Sequence, residues 1–354
     1  MSAKRITITD IARESGASPT TVSLVLRDKP GIGADTRDRV LAVAQSLGYE
    51  RKQTAPVRDG KVRTVAILFR ARTRSPFDKS LGVNPFYSWV LTGMEAVART
   101  KRMNLIYGTL AVNDANQIID VPDHLLSQAL DGVAMIGAFS EDSARALVGS
   151  GAFPVVLVDG PALPQQFDVV ASDNVGGARQ AVEYLFAAGH RQVGLVSPAE
   201  SINPNFAQRE EGYRMAMTAA GREPMHPQDR TPAAIRAMLA AWPGVTALFC
   251  VNDVFATELI RTTDELGIEV PGALSVVGFD DTDHASASSP PLTTMAVDKV
   301  SMGRLAIHQL DYRMAWPDAA ESCLVLSPRL IARGTVAPPM AAPFATSTEQ
   351  IAAG

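Results

Sequence analysis

Apolar positions recur at three- and four-residue spacing in three short stretches at the start of the chain. Ile8, Ile11 and Ala12 share one side of a helix over about residues 8–14, opened by Thr7 with a capping-box carboxylate at Asp10 and closed by Gly16. Ser18-Pro19 begins a second helix, about 19–26, with serine as N-cap and proline at the first helical position, where its missing N–H costs nothing. Its core side is Val22 with Val25 or Leu26, which leaves Thr20, Thr21, Ser23 and Leu24 around the first turns. After DKPGIG, Asp35 or Thr36 caps a third helix in which Val40, Val43, Ala44 and Leu47 repeat before Gly48 ends it. Two short helices around a tight turn, lidded by a third, form a helix-turn-helix candidate.

From Val62 the rhythm changes. Short β-branched runs alternate with helical patterns: VRTVAILF, a helix near 86–101, NLIYGTL, a helix near 117–129, GVAMIG, a helix, and PVVLVD. A second series follows with VVASD, a helix from Asn174 to Ala188, QVGLVS, a helix near 206–220, TALFCV, a helix near 253–266, and LSVVGFD. This period of about 25 residues signals successive βα units. The fold class expected is a small all-α head on an α/β body of two doubly wound parallel-sheet lobes with a cleft between them. Residues 292–335 supply a strand start, a helix near 298–315 and SCLVLSPRLIARG, which cross back between the lobes. The Ala/Pro-rich tail from about 336 reads as disordered. The domains expected are a head over 1–60 with a linker at about 50–62, a body over 61–340 and a disordered tail over 341–354.

Charge sharpens this division. Residues 1–63 hold 12 Lys/Arg against 7 Asp/Glu, a local +5, while the remainder carries −9. A basic head on an acidic body suits a polyanion at one end only, although a solvated surface gives the same count. No run approaches the roughly 20 apolar residues of a membrane helix, and MSAKRITITDIARESG lacks the apolar core of a secretory signal, so a cytoplasmic protein is expected. Cys250 and Cys323, both in apolar stretches, read as buried reduced thiols. The five histidines are scattered, His190 reading as structural, and no Walker loop, nucleophile elbow or CxxC is present. No metal, cofactor or catalytic residue is expected, and the chain reads as a non-enzyme. An exported transport protein would need a signal and no DNA head, and a doubly wound enzyme would need a catalytic constellation.

The run T-I-T-D-I-A-R-E-S-G-A-S-P-T-T-V-S-L-V-L at Thr7 to Leu26, with T-R-D-R-V-L-A-V-A-Q-S-L-G-Y at Thr36 to Tyr49, closely resembles the head of the LacI/GalR family. Further matches are N-P-F-Y at 84–87, V-D-G at 158–160, D-N-V-G-G-A at 173–178, R-E-E-G-Y at 209–213, N-D at 252–253 and G-F-D-D at 278–281. The resemblance covers about nine tenths of the chain. It implies a dimeric transcriptional regulator, acting as a repressor on double-stranded DNA at a palindromic operator, with a body of the periplasmic-binding-protein-like type I fold that takes a small-molecule effector. It places Pro19, Thr20 and Leu24 at base edges and Thr7, Ser18, Thr21, Ser23 and Thr36 at phosphates, with Arg27, Tyr49 and Arg58 also on the DNA side. Leu24 departs from the polar or basic residue common there, leaving a thymine methyl contact or packing within the head. In the linker Pro56 stands where a hinge helix would continue, and Arg58 replaces a wedging leucine. Arg58 then enters a narrow minor groove or touches phosphate only.

In such a body the ligand sits at the carboxyl ends of the strands. Asp159 closes PVVLVD, Asn252 closes TALFCV, Asp280 closes LSVVGF and Arg209 opens a helix, with Phe86, Tyr87 or Phe255 as apolar walls. Asn252 and Asp253 serve equally as helix caps, and Asp159 and Asp280 as holders of loop backbone. One arginine beside carboxylates suits sugar hydroxyls, so a neutral saccharide is the expected effector. A regulator answering to a partner protein is the alternative within the resemblance.

Overall fold

The computed structural model describes residues 7–26, 32–47, 62–72, 85–121, 129–150, 153–160, 167–198, 203–225 and 232–340. The chain divides into two compact units, Met1–Asp59 and Gly60–Gly354.

The first unit holds α1 (Ile8–Ser15), α2 (Pro19–Leu26) and α3 (Ala34–Ser46). Thr7 opens α1 with a complete capping box: its Oγ1 accepts from the Asp10 N–H at 3.3 Å, and its own N–H donates to Asp10 Oδ2 at 2.9 Å. Gly16 ends the helix in the left-handed conformation at φ 64°, which glycine adopts without a Cβ clash. Ile11, Val22, Val25, Leu26, Val40 and Ala44 form the core, so both Val25 and Leu26 accompany Val22. The third helix starts earlier than the sequence reading placed it. Its N-cap is Gly33 in extended conformation, without a side-chain cap bond, and Asp35 lies inside the first turn, where a carboxylate faces the positive end of the helix dipole.

The second unit contains two sheets. The seven-stranded sheet runs β11-β6-β5-β4-β1-β2-β3 and the five-stranded sheet β12-β10-β9-β8-β7. Strands β1 (Arg63–Arg72), β2 (Met103–Val112), β3 (Ile118–Asp120), β4 (Gly132–Ile136), β5 (Val155–Val158), β6 (Asp168–Ser172) and β11 (Cys323–Leu326) build the first lobe. Strands β7 (Gln192–Val196), β8 (Val245–Cys250), β9 (Ser275–Asp280), β10 (Thr293–Ala296) and β12 (Arg329–Ile331) build the second. β4, β5, β6, β8, β9 and β10 are buried throughout, which is why they read as continuous apolar runs rather than alternating ones. The first sheet reverses its winding between β1 and β4, a topological switch point that puts the ends of those strands beside the cleft.

The helices are α4 (Pro85–Lys101), α5 (Glu141–Ser150), α6 (Asn174–Ala187), α7 (Pro204–Ala219), α8 (Pro232–Ala241), α9 (Asp253–Glu265), α10 (Asp283–Ala287) and α11 (Lys299–Ala315). Short polar side chains start four of them: Asp173 accepts from the Gly176 N–H, Asn203 from Asn205, Asn252 from Phe255 and Asp298 from Ser301. The chain passes between lobes after β6, after β10 and between β11 and β12. On the first lobe α4 and α11 pack backbone to backbone, because a Cβ at Gly93 would lie 2.0 Å from the Val300 carbonyl oxygen. Asp168, at the start of β6, binds α11 and the β11 approach together. It accepts from Arg313 Nε at 2.7 Å, Arg313 Nη2 at 3.0 Å, Gln309 Nε2 at 2.8 Å and the Ser322 N–H at 2.9 Å.

Three expectations are corrected. The helix expected near 117–129 does not begin there: Ile118–Asp120 is an edge strand antiparallel to β2, launched by a turn in which Asn113 Oδ1 accepts from the Ala115 and Gln117 N–H groups. Residues 122–128 lie outside the described set. Cys250 is buried as expected, but Cys323 is exposed, because β11 is an edge strand and Cys323 falls on its open face. The chain from 336 is fixed through residue 340: the Ala337 N–H donates to Ser275 Oγ at 3.1 Å, and its carbonyl meets His190 Nε2 at 3.1 Å. Residues 341–354 lie outside the described set. His190, buried with Nδ1 2.8 Å from Thr246 Oγ1, is a structural side chain, and burial lowers its pKa.

Candidate functional site

In the head, Thr7, Ser18 and Pro19 are exposed and Thr21, Leu24 and Thr36 are half-buried. Ser18 caps α2: its Oγ accepts from the Thr21 N–H at 3.0 Å and lies 2.9 Å from Thr21 Oγ1. The cap therefore fixes two of the expected phosphate-contacting hydroxyls side by side at the start of α2. The side chains of Thr20 and Ser23, and residues Arg27, Tyr49, Pro56 and Arg58, lie outside the described set.

In the body, an aspartate follows β5 of the first lobe and another ends β9 of the second, both at positive backbone angles, Asp159 at φ 55° and Asp280 at φ 106°. Such conformations cost roughly 1–3 kcal/mol each and persist only where surrounding bonds impose them. Those bonds form one chain across the cleft. The Tyr87 hydroxyl donates to Asp159 Oδ2 at 3.1 Å, and Asn205 Nδ2 donates to Asp159 Oδ1 and to its backbone oxygen, each at 3.0 Å. Asn174 Nδ2 donates to Asn205 Oδ1 at 3.3 Å and to Gln208 Oε1 at 2.9 Å. Arg209 donates from Nε to Asn174 Oδ1 at 2.9 Å and from Nη1 to the Val251 carbonyl at 2.7 Å, while its Nη2 pairs with Asp280 Oδ1 at 2.9 Å. The guanidinium lies over Phe279, 3.8 Å from the ring centroid, and Phe206 packs on Phe255 at 5.7 Å.

The cleft thus brings together Tyr87, Asp159, Arg209 and Asp280 of the expected set. Asn252 stands at its strand end as the cap of α9, and its Oδ1 is taken by the Phe255 N–H at 2.9 Å. Phe86 is 5% exposed, its ring 5.3 Å from that of Tyr87 and its centroid 5.8 Å from Lys299 Nζ, so it packs behind the cleft residues. It turns inward because Pro85 sets α4 so that Phe86, Val90, Met94 and Val97 share the buried face. A separate depression of about 620 Å³, lined by Thr257, Arg261, His284 and Pro290 among others, borders none of the cleft residues.

Sequence reasoning missed Asn174, Asn205 and Gln208, whose amides complete the relay, and Arg70, which lies near the end of β1 and donates to Asn116 Oδ1 at 2.8 Å. Asn174 opens one helix and Asn205 and Gln208 lie on the next, so their meeting depends on how those two helices pack. Lys299 was missed too; its Nζ donates to the carbonyls of Asp280 and Asp281. Asp253 is fully buried, with Oδ2 accepting from the Thr282 N–H at 2.6 Å and Oδ1 from Thr294 Oγ1 at 2.5 Å, so it holds two loops. Burial pushes Asp159 up to about 7, with Asp280 adding to the rise and Arg209 opposing it. Asp253 is likewise pushed up to about 7 by burial and by the charge of Asp280. Burial raises Asp280 against the opposing pull of Arg209, and it lowers Lys299.

Carboxylates, a guanidinium and amides converging between aromatic rings make a hydrogen-bonding site for a polar ligand with an apolar face. Joined in one chain, a helix-turn-helix head and a two-lobed sensor of this kind define a ligand-responsive transcriptional regulator. Residues 7–52 match the family model of bacterial regulatory proteins, lacI family, and residues 182–336 match a periplasmic binding protein-like domain. The chain is 28% identical over 341 residues to the HTH-type transcriptional repressor PurR of Mannheimia succiniciproducens, covering 93% of this chain and 98% of that protein. It is 27% identical to the ribose operon repressor of Haemophilus influenzae, with the same shares covered. A solved transcriptional regulator CelR–cellobiose complex superposes with TM-score 0.66 at 25% identity, over 94% of this chain and 100% of that one. The chain thus carries the lacI-family head over residues 7–52 and a periplasmic binding protein-like domain over residues 182–336, the pairing found in regulators of this kind.

Proposed function

We propose that this regulator is a homodimeric, cytoplasmic repressor, not an enzyme, whose hold on a palindromic operator is set by a saccharide in the cleft. The observation that carries the effector class is the buried Arg209–Asp280 pair, with Asp159 facing it from the other lobe and Phe206, Phe255 and Tyr87 beside it. Carboxylates and a guanidinium take adjacent hydroxyls pairwise, and rings pack on the apolar face of a sugar. The ribose and cellobiose in the names of two similar proteins favour the same class. On the head, Thr7, Ser18, Thr21, Ser23 and Thr36 position phosphates and Pro19, Thr20 and Leu24 face bases, with Arg27, Tyr49 and Arg58 adding contacts. Two heads on two half-sites sum weak contacts into a strong one. Among the described residues no helix is long and apolar enough to cross a membrane.

The test is selection of genomic fragments on the purified full chain, followed by titration of the selected site with a panel of mono- and disaccharides at fixed salt. One palindrome whose binding is shifted by one sugar is the expected result. A selected palindrome unmoved by every sugar overturns the saccharide reading, and no selected sequence at all overturns the operator reading.

A further inference from the structure

Asp159 is the point at which the first lobe is bonded to the second. It follows β5 at 6% exposure, and Asn205 reaches it from α7 of the second lobe, donating Nδ2 to both Asp159 Oδ1 and its backbone oxygen. Its remaining oxygen, Oδ2, lies 3.1 Å from the Tyr87 hydroxyl. The partners of this buried carboxyl are therefore an amide and a phenol.

The charged groups around it are otherwise engaged. Arg209 faces it from α7, but gives Nε to Asn174, Nη1 to the Val251 carbonyl and Nη2 to Asp280. Arg70 acts on the Tyr87 side from near the end of β1, with Nη1 on Asn116. Asp280 faces it from β9 as a like charge, with Lys299 behind on the Asp280 carbonyl and Asp253 beyond. Gly137 and Val170, the neighbours on the strands flanking β5, bring no ionisable group.

We infer that Asp159 bridges the lobes as a neutral carboxyl group, so that closing the body at this seam takes up a proton. The geometry admits that form. Oδ1 accepts from Asn205 in either state, and the 3.1 Å contact of Oδ2 with the Tyr87 hydroxyl serves both: the phenol donates to the carboxylate, and accepts once Oδ2 carries the proton. A buried carboxylate without its own cation is disfavoured and neutralises instead. Burial holds this group at about 7, whereas separated lobes return it to water and to the ordinary carboxylate range.

The sign follows from linkage. The closed seam binds the proton at pH values where the open seam has lost it, so acid favours closure and alkali favours opening. For a closed-state midpoint near 7, lowering pH from 8 to 6 raises the closed-to-open ratio about tenfold. The proton is an input additional to the effector, and the inference does not depend on the effector being a saccharide.

The test uses the full chain without any sugar. With aspartate labelled by carbon-13 at Cγ, the Asp159 resonance is the one lost in Asp159→Asn. It is expected to titrate near 7. Hydrogen exchange at residues 159–160 and 205–209, corrected for intrinsic rates, gives a second reading. The wild-type chain opens about tenfold more at pH 8 than at pH 6, whereas Asp159→Asn, an uncharged isostere, is protected equally at both. An Asp159 midpoint below 5, or an Asp159→Asn chain that keeps the wild-type pH dependence, overturns the inference.

Discussion

Arg209 and Asp280 meet at 2.9 Å with 3% and 13% of their side chains exposed, and the guanidinium rests on the ring of Phe279. The pair joins α7 to the end of β9 within the second lobe, while the remaining donors of Arg209 hold Asn174 and the Val251 carbonyl. Replacing Arg209 by methionine strips Asn174 and the Val251 carbonyl of their donor and leaves the buried Asp280 carboxylate without its ion-pair partner. A loss of about 3–5 kcal/mol is expected in urea unfolding of the full chain, together with loss of any effector response. Arg209→Lys does not restore it, because one ammonium cannot reach Asn174, the Val251 carbonyl and Asp280 at once as the guanidinium does. A lysine variant with wild-type stability would show that the fork geometry is not what the site uses.

Asp253 predicts how stability varies with pH. Its folded-state value, raised by burial to about 7, lies above the unfolded 3.8, so between those pH values the folded chain holds a proton that the unfolded chain has released. Stability is therefore fully favoured below about pH 4, falls as pH rises toward 7, and is flat with respect to this group above that. Asp253→Asn keeps acceptors and donors near Thr282 and Thr294 without the charge. Thermal unfolding between pH 5 and 8 is expected to slope less in this variant than in the wild type; equal slopes would place the titration elsewhere.

The architecture was largely legible in the sequence, and the site only partly. β-Branched runs such as PVVLVD and LSVVGFD announce buried parallel strands whatever their neighbours, and their last residues, Asp159 and Asp280, fall in the cleft because strand ends define it. Periodicity failed where a turn decides the structure: Asn113 and Asn116 send Ile118–Asp120 back along β2 as an edge strand. It also failed for Cys323, because strand order in the sheet is not written in local sequence. Asn205 and Asn174 carry no signal of their own. Their roles exist only once α6 and α7 pack side by side and bring them within 3.3 Å.

The close approach of α4 and α11 makes a further prediction. A Cβ at Gly303 would sit 1.9 Å from the Val90 carbonyl oxygen, and one at Gly93 2.0 Å from that of Val300, so each helix has lost its side chain where the other passes. Both obstacles are backbone and cannot rotate away. Gly303→Ala is expected to push the helices apart and destabilise the first lobe by about 1–3 kcal/mol, read as a lowered urea midpoint. An alanine chain as stable as the wild type would mean that the two helices slide freely.

Asp168 tests the tie between α11 and the β6 edge. It takes two hydrogen bonds from Arg313, one from Gln309 and one from the Ser322 N–H, and it is 2% exposed. Asp168→Ala leaves a buried guanidinium facing an emptied acceptor site, and about 3–5 kcal/mol of stability is expected to be lost. Because Asp168 lies at the opposite end of β6 from the cleft, material that folds should answer the effector as before. A folded variant with altered effector response would show that this tie transmits lobe movement.

In the head, two substitutions separate positioning on DNA from reading it. Ser18 Oγ accepts the Thr21 N–H, so Ser18→Ala removes a helix cap worth about 1 kcal/mol and any phosphate contact made by that hydroxyl. Phosphate contacts carry no sequence information, so the variant is expected to weaken binding to the selected operator and to scrambled DNA by the same factor. Leu24, half-buried on α2, makes the opposite prediction. If its methyl groups meet a thymine methyl, Leu24→Ala narrows the preference for that one base pair by about 1 kcal/mol while leaving scrambled DNA unchanged. Anisotropy titrations on both DNAs, with each base pair of the operator substituted in turn, check the pair. A uniform loss for Leu24→Ala, accompanied by a lower melting temperature, would assign the leucine to the packing of the head instead.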